Sequence, residues 1–126
     1  WRPYCHLNDF AEAIFHVISL DNSLVKNQVF NVGLDDNNST KRMLVDKIKN
    51  LNFDFKCIYG ENGNDPRNYR VSFKKINQVL GFIPKYNLEY GFEEINNWLN
   101  KMKSQKINYN DLGNYLIPQE FINLYF

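Results

Sequence analysis

Three arginines and a tyrosine carry the clearest chemistry in this sequence. Arg67, Tyr69 and Arg70 lie almost side by side, and Arg2 stands near the start of the chain. A guanidinium presents a planar fork of donors that matches the oxygens of a phosphate, so arginines brought to one place form a local anion-binding surface. The alternative for each arginine is a solvated side chain or an exposed ion pair of little energetic weight, and for Tyr69 it is a core position. Locality matters here. The 15 basic and 14 acidic side chains leave a net charge of +1, which sets up no field that would attract nucleic acid or an anionic membrane. An anion has to be held by specific groups.

The segment that must position Arg67, Tyr69 and Arg70 runs from Asp65 to Tyr86. Its first part is extended, with a period of two that puts Arg67 and Tyr69 on one side and Arg70 on the other. Ser72 then suits a helix cap, since its hydroxyl can accept from an amide of the first turn. Phe73, Ile76, Val79 and Leu80 follow at the spacing of one buried helical face. Gly81 suits the left-handed residue that ends a helix, Phe82 can fold back on the last turn, and Pro84 prevents resumption. The sequence therefore predicts an extended arm, a short helix and a hard stop.

The rest of the chain alternates between helical and extended patterns. Tyr4 to His6 suits a short strand, and Asp9 with Glu12 reads as a capping box for a helix with an apolar stripe of Phe10, Ile14, Val17 and Ile18. Ala11 and Ala13 allow close packing there. Asp21-Asn22-Ser23 is a turn, Gln28 to Val32 a strand ended by Gly33, and Asp35 to Ser39 a polar loop. Ser39 or Thr40 caps a helix carrying Met43, Leu44, Ile48 and Leu51. Phe53, Phe55, Cys57 and Tyr59 alternate with polar or outward residues as a further strand. Asn87 caps a long helix with Leu88, Phe92, Ile95, Leu99 and Met102 on its stripe, broadened by Trp98, and with Gly91 marking a close neighbour. Lys101, Lys103 and Lys106 gather where that helix should end, which its dipole favours. The expected fold is a small mixed α/β domain of several helices and short strands. At 126 residues, 44% of them hydrophobic, the chain is of single-domain length and can form a packed core.

Other chemistry is poorly supported. Cys5 and Cys57 have neither a Cys-x-x-Cys spacing nor a second pair for zinc, and read as reduced structural thiols. His6 and His16 read as hydrogen-bonded structural residues, because no further ligands stand at metal spacing. The adjacent carboxylates of Asp35 and Asp36 point apart and read as a solvated turn. No strand leads into Gly-x-x-Gly-x-x-Gly, so no dinucleotide crevice is encoded, and no tyrosine has a lysine four residues on in a helical setting. No apolar run approaches membrane-spanning length and no leader is present, which makes the cytoplasm the expected compartment.

Three stretches, in order, resemble the NAD-dependent nucleoside-diphosphate-sugar epimerases and dehydratases, the extended short-chain dehydrogenase/reductases. They are Trp1-Arg2-Pro3-Tyr4-Cys5-His6-Leu7-Asn8-Asp9-Phe10-Ala11-Glu12-Ala13-Ile14, the strand-like Val29-Phe30-Asn31-Val32-Gly33, and Asp65 to Ile76 followed by Leu80-Gly81-Phe82-Ile83-Pro84. The resemblance covers about residues 1 to 99. It implies the C-terminal, substrate-binding lobe of such an enzyme without its Rossmann half, so the chain is expected to be a fragment that by itself neither oxidises nor isomerises anything. NAD(P) and the Tyr/Lys pair would belong to the missing half, with no cofactor held by this chain. Residues 1–104 would form the lobe, and 105–126, rich in aromatics, a tail packing on it or on a partner. The resemblance also implies that Arg2 lies near the nucleotide of a nucleoside-diphosphate sugar, that Tyr69 lies beside the substrate, and that Asp65 matches an acid of some relatives. Several relatives have an arginine where this chain has Asn62, which leaves Arg67 or Arg70 to take the diphosphate. Expected partners are the nucleoside-diphosphate sugar, the missing half and, through surface left bare, a second copy of the chain. The alternative is a non-catalytic interaction domain that keeps the fold.

Overall fold

A computed structural model describes residues 1–53, 55–58 and 66–105. The order of elements begins with strand β1 (Arg2–Pro3), helix α1 (Leu7–Ser19) and the single turn α2 (Asn22–Val25). A 3-10 turn (Asp35–Asn37) then leads into strand β2 (Asn38–Ser39), followed by helices α3 (Lys41–Asn50), α4 (Lys74–Leu80) and α5 (Leu88–Gln105). This is a small, helix-rich mixed domain around a two-stranded sheet. The strands pair antiparallel with Arg2 opposite Ser39 and Pro3 opposite Asn38, and the Tyr4 amide extends the contact to the Asn37 carbonyl at 3.2 Å. The ladder thus lies earlier than the expected strand at Tyr4 to His6, because His6 is taken by the cap of α1.

That cap corrects the expected capping box. The His6 Nδ1 accepts from the Asn8 amide at 3.2 Å, and Asp9 lies inside the helix, only 1% exposed. The buried face of α1 is also not the expected one. Ala13 is in the core with Val17 and Leu20 packed against it, whereas Phe10, Ile14 and Ile18 are exposed. The apolar stripe of α1 is broader than the core, which takes only its Ala13 and Val17 edge, so apolar spacing alone could not say which part is buried.

The helix α4 agrees closely with expectation. Ile76 and Leu80 are buried and pack in one cluster with Ala13 and Phe82, and Phe73 is buried at the helix start. Gly81 ends the helix with φ 68°. Val79 is exposed, and Ser72 stands one residue before the capping position, its hydroxyl accepting from the Lys74 amide at 3.4 Å. The Thr40 hydroxyl caps α3 through the Met43 amide at 3.2 Å, and Asn87 caps α5 through the Tyr90 amide at 2.9 Å. A β-carbon on Gly91 would stand 3.5 Å from the His6 ring, an ordinary van der Waals contact, so His6 is a neighbour there but does not require glycine. On α5, Ile95 and Trp98 are exposed, so its stripe is less covered than expected.

Two expected strands form no ladder. Residues 28–32 keep their alternation, with Val29 exposed and Phe30 and Val32 packed on the core cluster, yet form no ladder with another segment among the described residues. Residues 55–58 likewise form no ladder, and Asp54 and Tyr59 lie outside the described residues. A strand is completed by a neighbour, which alternation cannot supply. Gly33 has a packing role: a β-carbon there would fall 2.8 Å from the Phe73 ring, which lies directly on the backbone. Of the expected tail, Gln105 is the last residue of α5 and 106–126 lie outside the described residues.

Polar side chains join these pieces. Asp9, Asn37, Asn38 and Ser39 are all buried. The Asp9 carboxylate accepts from the amides of Lys85 at 2.8 Å and Tyr86 at 3.1 Å. The Asn37 side chain donates to the Tyr86 carbonyl and accepts from the Leu88 amide, both at 3.1 Å. Buried polar groups need such partners, and here the partners are the backbone of the connection between α4 and α5. The stretch Asp35 to Ser39, expected as a polar loop, is a buried hub over Asn37 to Ser39, while Asp35 and Asp36, expected as a solvated turn, are exposed at its edge.

Candidate anion-binding site

The arm ahead of α4 is held by side chains in place of a ladder. Asn38 donates to the Val71 carbonyl and accepts from the Val71 amide, both at 2.9 Å, so one side-chain amide does the work of a strand neighbour. Asn31 donates to the Ser72 carbonyl at 3.3 Å, and Asp35 accepts from the Phe73 amide at 3.3 Å. At the other end the Tyr69 amide donates to the Trp1 carbonyl at 3.2 Å. The arm consequently lies against the start of β1.

This brings together all four residues singled out from the sequence. The Arg2 guanidinium donates to the Trp1 carbonyl at 2.8 Å and to the Arg67 carbonyl, and its carbon stands 5.5 Å from the centre of the Tyr69 ring. The Arg70 guanidinium lies 4.4 Å from the centre of the Trp1 ring. Neighbouring residues of an extended chain point to opposite sides. Tyr69 with Arg2 and Arg70 with Trp1 therefore make two separate stacks, as the period of two required. Tyr69 is exposed, which removes its core alternative.

A groove of about 420 Å³ opens beside this junction, and Arg2, Ser39, Thr40, Lys41, Arg67 and Asn68 contribute to its lining. Arg2 and Arg67 thus share a concave surface, and the Arg70 guanidinium, which does not line it, is stacked on Trp1, which does. Lys41 was not singled out from the sequence. Its only signal was its place directly after the capping Thr40, which put a cation at the head of a helix. Asn62 and Asp65 lie outside the described residues. A separate hollow of about 560 Å³ between α3 and α5 is lined by Ile48, Phe53, Phe92 and Leu99 among others, and shares no residue with the arginine groove.

The remaining candidates are structural. The His6 Nδ1 is an acceptor, so its Nε2 carries the proton and donates to Glu94 at 3.0 Å, while the ring packs on Tyr86 and Tyr90 at 4.6 and 5.6 Å between centres. His16 donates through Nε2 to the Leu80 carbonyl at 2.8 Å, tying α1 to the end of α4. Burial, and then the nearby Asp9 charge, push the Cys5 thiol up from its ordinary value, which disfavours the thiolate. Cys5 and Cys57 are both unbridged. Among the described residues no cluster of three or more His, Cys, Asp or Glu is placed to hold a metal ion, and no helix is long and apolar enough to cross a membrane. No family model matches the chain, and no solved structure matches it.

Proposed function

We propose that this chain is the nucleotide-sugar-binding portion of an NAD(P)-dependent sugar-nucleotide epimerase or dehydratase, with the arginine groove receiving the nucleoside diphosphate. The supporting observation is the convergence of Arg2, Arg67, Tyr69 and Arg70 at one junction, although Arg2 and the arm are far apart in sequence. Arg2 and Arg67 are the pair that lines a groove, which favours Arg67 over Arg70 as the diphosphate ligand. Tyr69, exposed and stacked on Arg2, offers an aromatic face beside it.

The proposal leaves hydride transfer and proton transfer to the other half of the enzyme. Glycines within the described residues are otherwise engaged: Gly33 under the Phe73 ring, Gly81 at the end of α4, and Gly91 against His6. None of these three opens a strand-to-helix turn of the kind that receives a pyrophosphate-linked dinucleotide, and the proposal assigns NAD(P) to the other half. NAD(P), when bound by the other half, supplies the hydride acceptor. The role of this chain is to bind and orient the far end of the substrate.

The same reading accounts for α1. Leu7, Phe10, Ile14 and Ile18 are exposed, and a helix whose apolar stripe extends beyond the face the core covers leaves surface for a partner. Val29, exposed on an extended segment without a ladder, adds to that surface. The other half of the enzyme, or a second copy of the chain, would cover it. A non-catalytic interaction domain would present the same face, so ligand binding separates the two readings. Calorimetric titration with a panel of nucleoside diphosphates and their sugar conjugates should show binding that weakens in Arg67→Ala. Failure of every member of the panel to bind would favour the interaction domain.

A further inference from the structure

We infer that His6 is a pH-sensitive switch, which caps α1 while its ring is neutral and exchanges that cap for an ion pair with α5 when the ring takes up a proton. The start of α1 asks of His6 something that one form of the ring alone can do. The Asn8 amide is a first-turn donor with no acceptor inside the helix, and the His6 Nδ1 accepts from it at 3.2 Å. An accepting Nδ1 has a bare lone pair, so the ring there is neutral with its proton on Nε2. The oxygen of an ordinary serine or asparagine cap accepts such an amide in acid and base alike. An imidazole does so in one charge state.

The other ring nitrogen faces α5. Nε2 donates to the Glu94 carboxylate at 3.0 Å, and this contact is open to both forms of the ring, becoming an ion pair in the charged one. The ring has little room to leave it. Its side chain is only 10% exposed, it packs on Tyr86 and Tyr90, and Gly91 stands beside it. A proton added at Nδ1 therefore points at the Asn8 N–H, and the cap is the contact that breaks.

The titratable and charged groups around the ring are Glu94 and Tyr90 from α5, Tyr86 from the connection ahead of α5, and Cys5 and Asp9 on its own segment. Histidine is the side chain whose protonation ordinarily falls near neutral pH, which makes a histidine cap switchable where an asparagine cap is not. What acid loosens is the first turn of α1, which carries Leu7 and Phe10, both exposed. The switch thus acts on the beginning of that helix's bare apolar surface. It is independent of what the arginine groove binds.

NMR of the isotopically labelled 126-residue chain, followed as pH is lowered from about 8 to 5 across the range in which imidazoles titrate, tests this. The neutral His6 ring should carry its proton on Nε2. As the ring becomes charged, the Asn8 amide and Glu94 carboxyl resonances should move with the same midpoint. Protection of the Asn8 amide from exchange, corrected for the intrinsic effect of pH, should fall about fivefold, the worth of a typical cap. His6→Asn supplies an oxygen at the cap and should hold Asn8 protected throughout. His16 remains in that variant, so any response left there would belong to another group. A neutral ring protonated on Nδ1, an Asn8 amide or Glu94 carboxyl that ignores the ring's protonation, or an undiminished Asn8 response in His6→Asn would each overturn the inference.

Discussion

The Asp9 carboxylate receives the Lys85 amide at 2.8 Å from across the fold, and its second oxygen receives the Tyr86 amide at 3.1 Å. Through this contact α1 fixes the chain just after the Gly81 stop, and with it the entry to α5. Asp9→Ala would leave two part-buried amides without their acceptors, at a cost of about 1 to 3 kcal/mol. Urea unfolding should show that loss. Glu12→Ala, which removes only the exposed pair with the Lys85 ammonium at 2.8 Å, should leave the midpoint almost unchanged.

Asn38 should matter to the arm more than to the core. Its side chain alone meets both the amide and the carbonyl of Val71. Asn38→Asp keeps the acceptor for the Val71 amide but turns a carboxylate oxygen toward the carbonyls of Val71 and Asp35, which its amide nitrogen now bridges at 2.9 and 3.0 Å. Hydrogen exchange at the Val71 amide should quicken in Asn38→Asp, with the Leu80 amide in α4 much less affected. Equal acceleration at both would mean that Asn38 supports the whole fold and not the arm.

The bare side of α1 should make the chain self-associate. Large exposed apolar surfaces on a folded domain mark a missing partner. Ile14→Lys and Ile18→Lys change residues that contribute little to the core, so the double variant should shift sedimentation toward monomer and reduce binding of a hydrophobic dye, with the thermal midpoint kept. A wild-type chain that sediments as a strict monomer at high concentration and binds no dye would contradict this.

Acid should loosen the contact between α3 and α5. The hydrogen bond from Lys47 holds the Glu89 carboxyl below its ordinary value of 4.5, outweighing partial burial. A folded value below the unfolded one gives stability that is full above the ordinary carboxylate range and is lost as pH falls through the folded value. Glu89→Gln should therefore lower stability at neutral pH slightly and flatten its decline in acid. Urea midpoints measured across that range, for wild type and variant, would show the two curves converging at low pH.

Much of the helical framework was legible because its signals are local. The Thr40 and Asn87 caps, the Ile76 and Leu80 face, and the Gly81 stop each depend on residues within a turn or two. The buried hub was not legible. Asn37 and Asn38 look like loop residues in sequence, and nothing local shows that their amides will meet backbone many residues away. Asp9 misled for the same reason, since an acid at the start of a helix resembles a cap whether it faces the first turn or the core. The strand-like alternation of residues 28–32 was correct as to faces and silent as to pairing, because pairing depends on another segment. At the site, residue type picked out Arg2, Arg67, Tyr69 and Arg70, but the grouping of Arg2 and Arg67 at one groove, and the entry of Lys41, needed the arm to be placed against β1 and α3.

The most direct test is the affinity of intact nucleotide sugar for the wild-type chain and for Arg67→Ala and Arg70→Ala, made separately and measured by calorimetry. A guanidinium that clamps the diphosphate, remote from the reacting sugar carbons, contributes a charge-assisted contact in ground state and transition state alike. Its loss should raise Kd by about 10-fold to 150-fold. The account predicts that change for Arg67→Ala, a smaller one for Arg70→Ala, and in the assembled enzyme a matching rise in KM with kcat nearly unchanged. Wild-type affinity in Arg67→Ala, or a loss of kcat with KM unchanged, would contradict the diphosphate role assigned to this groove.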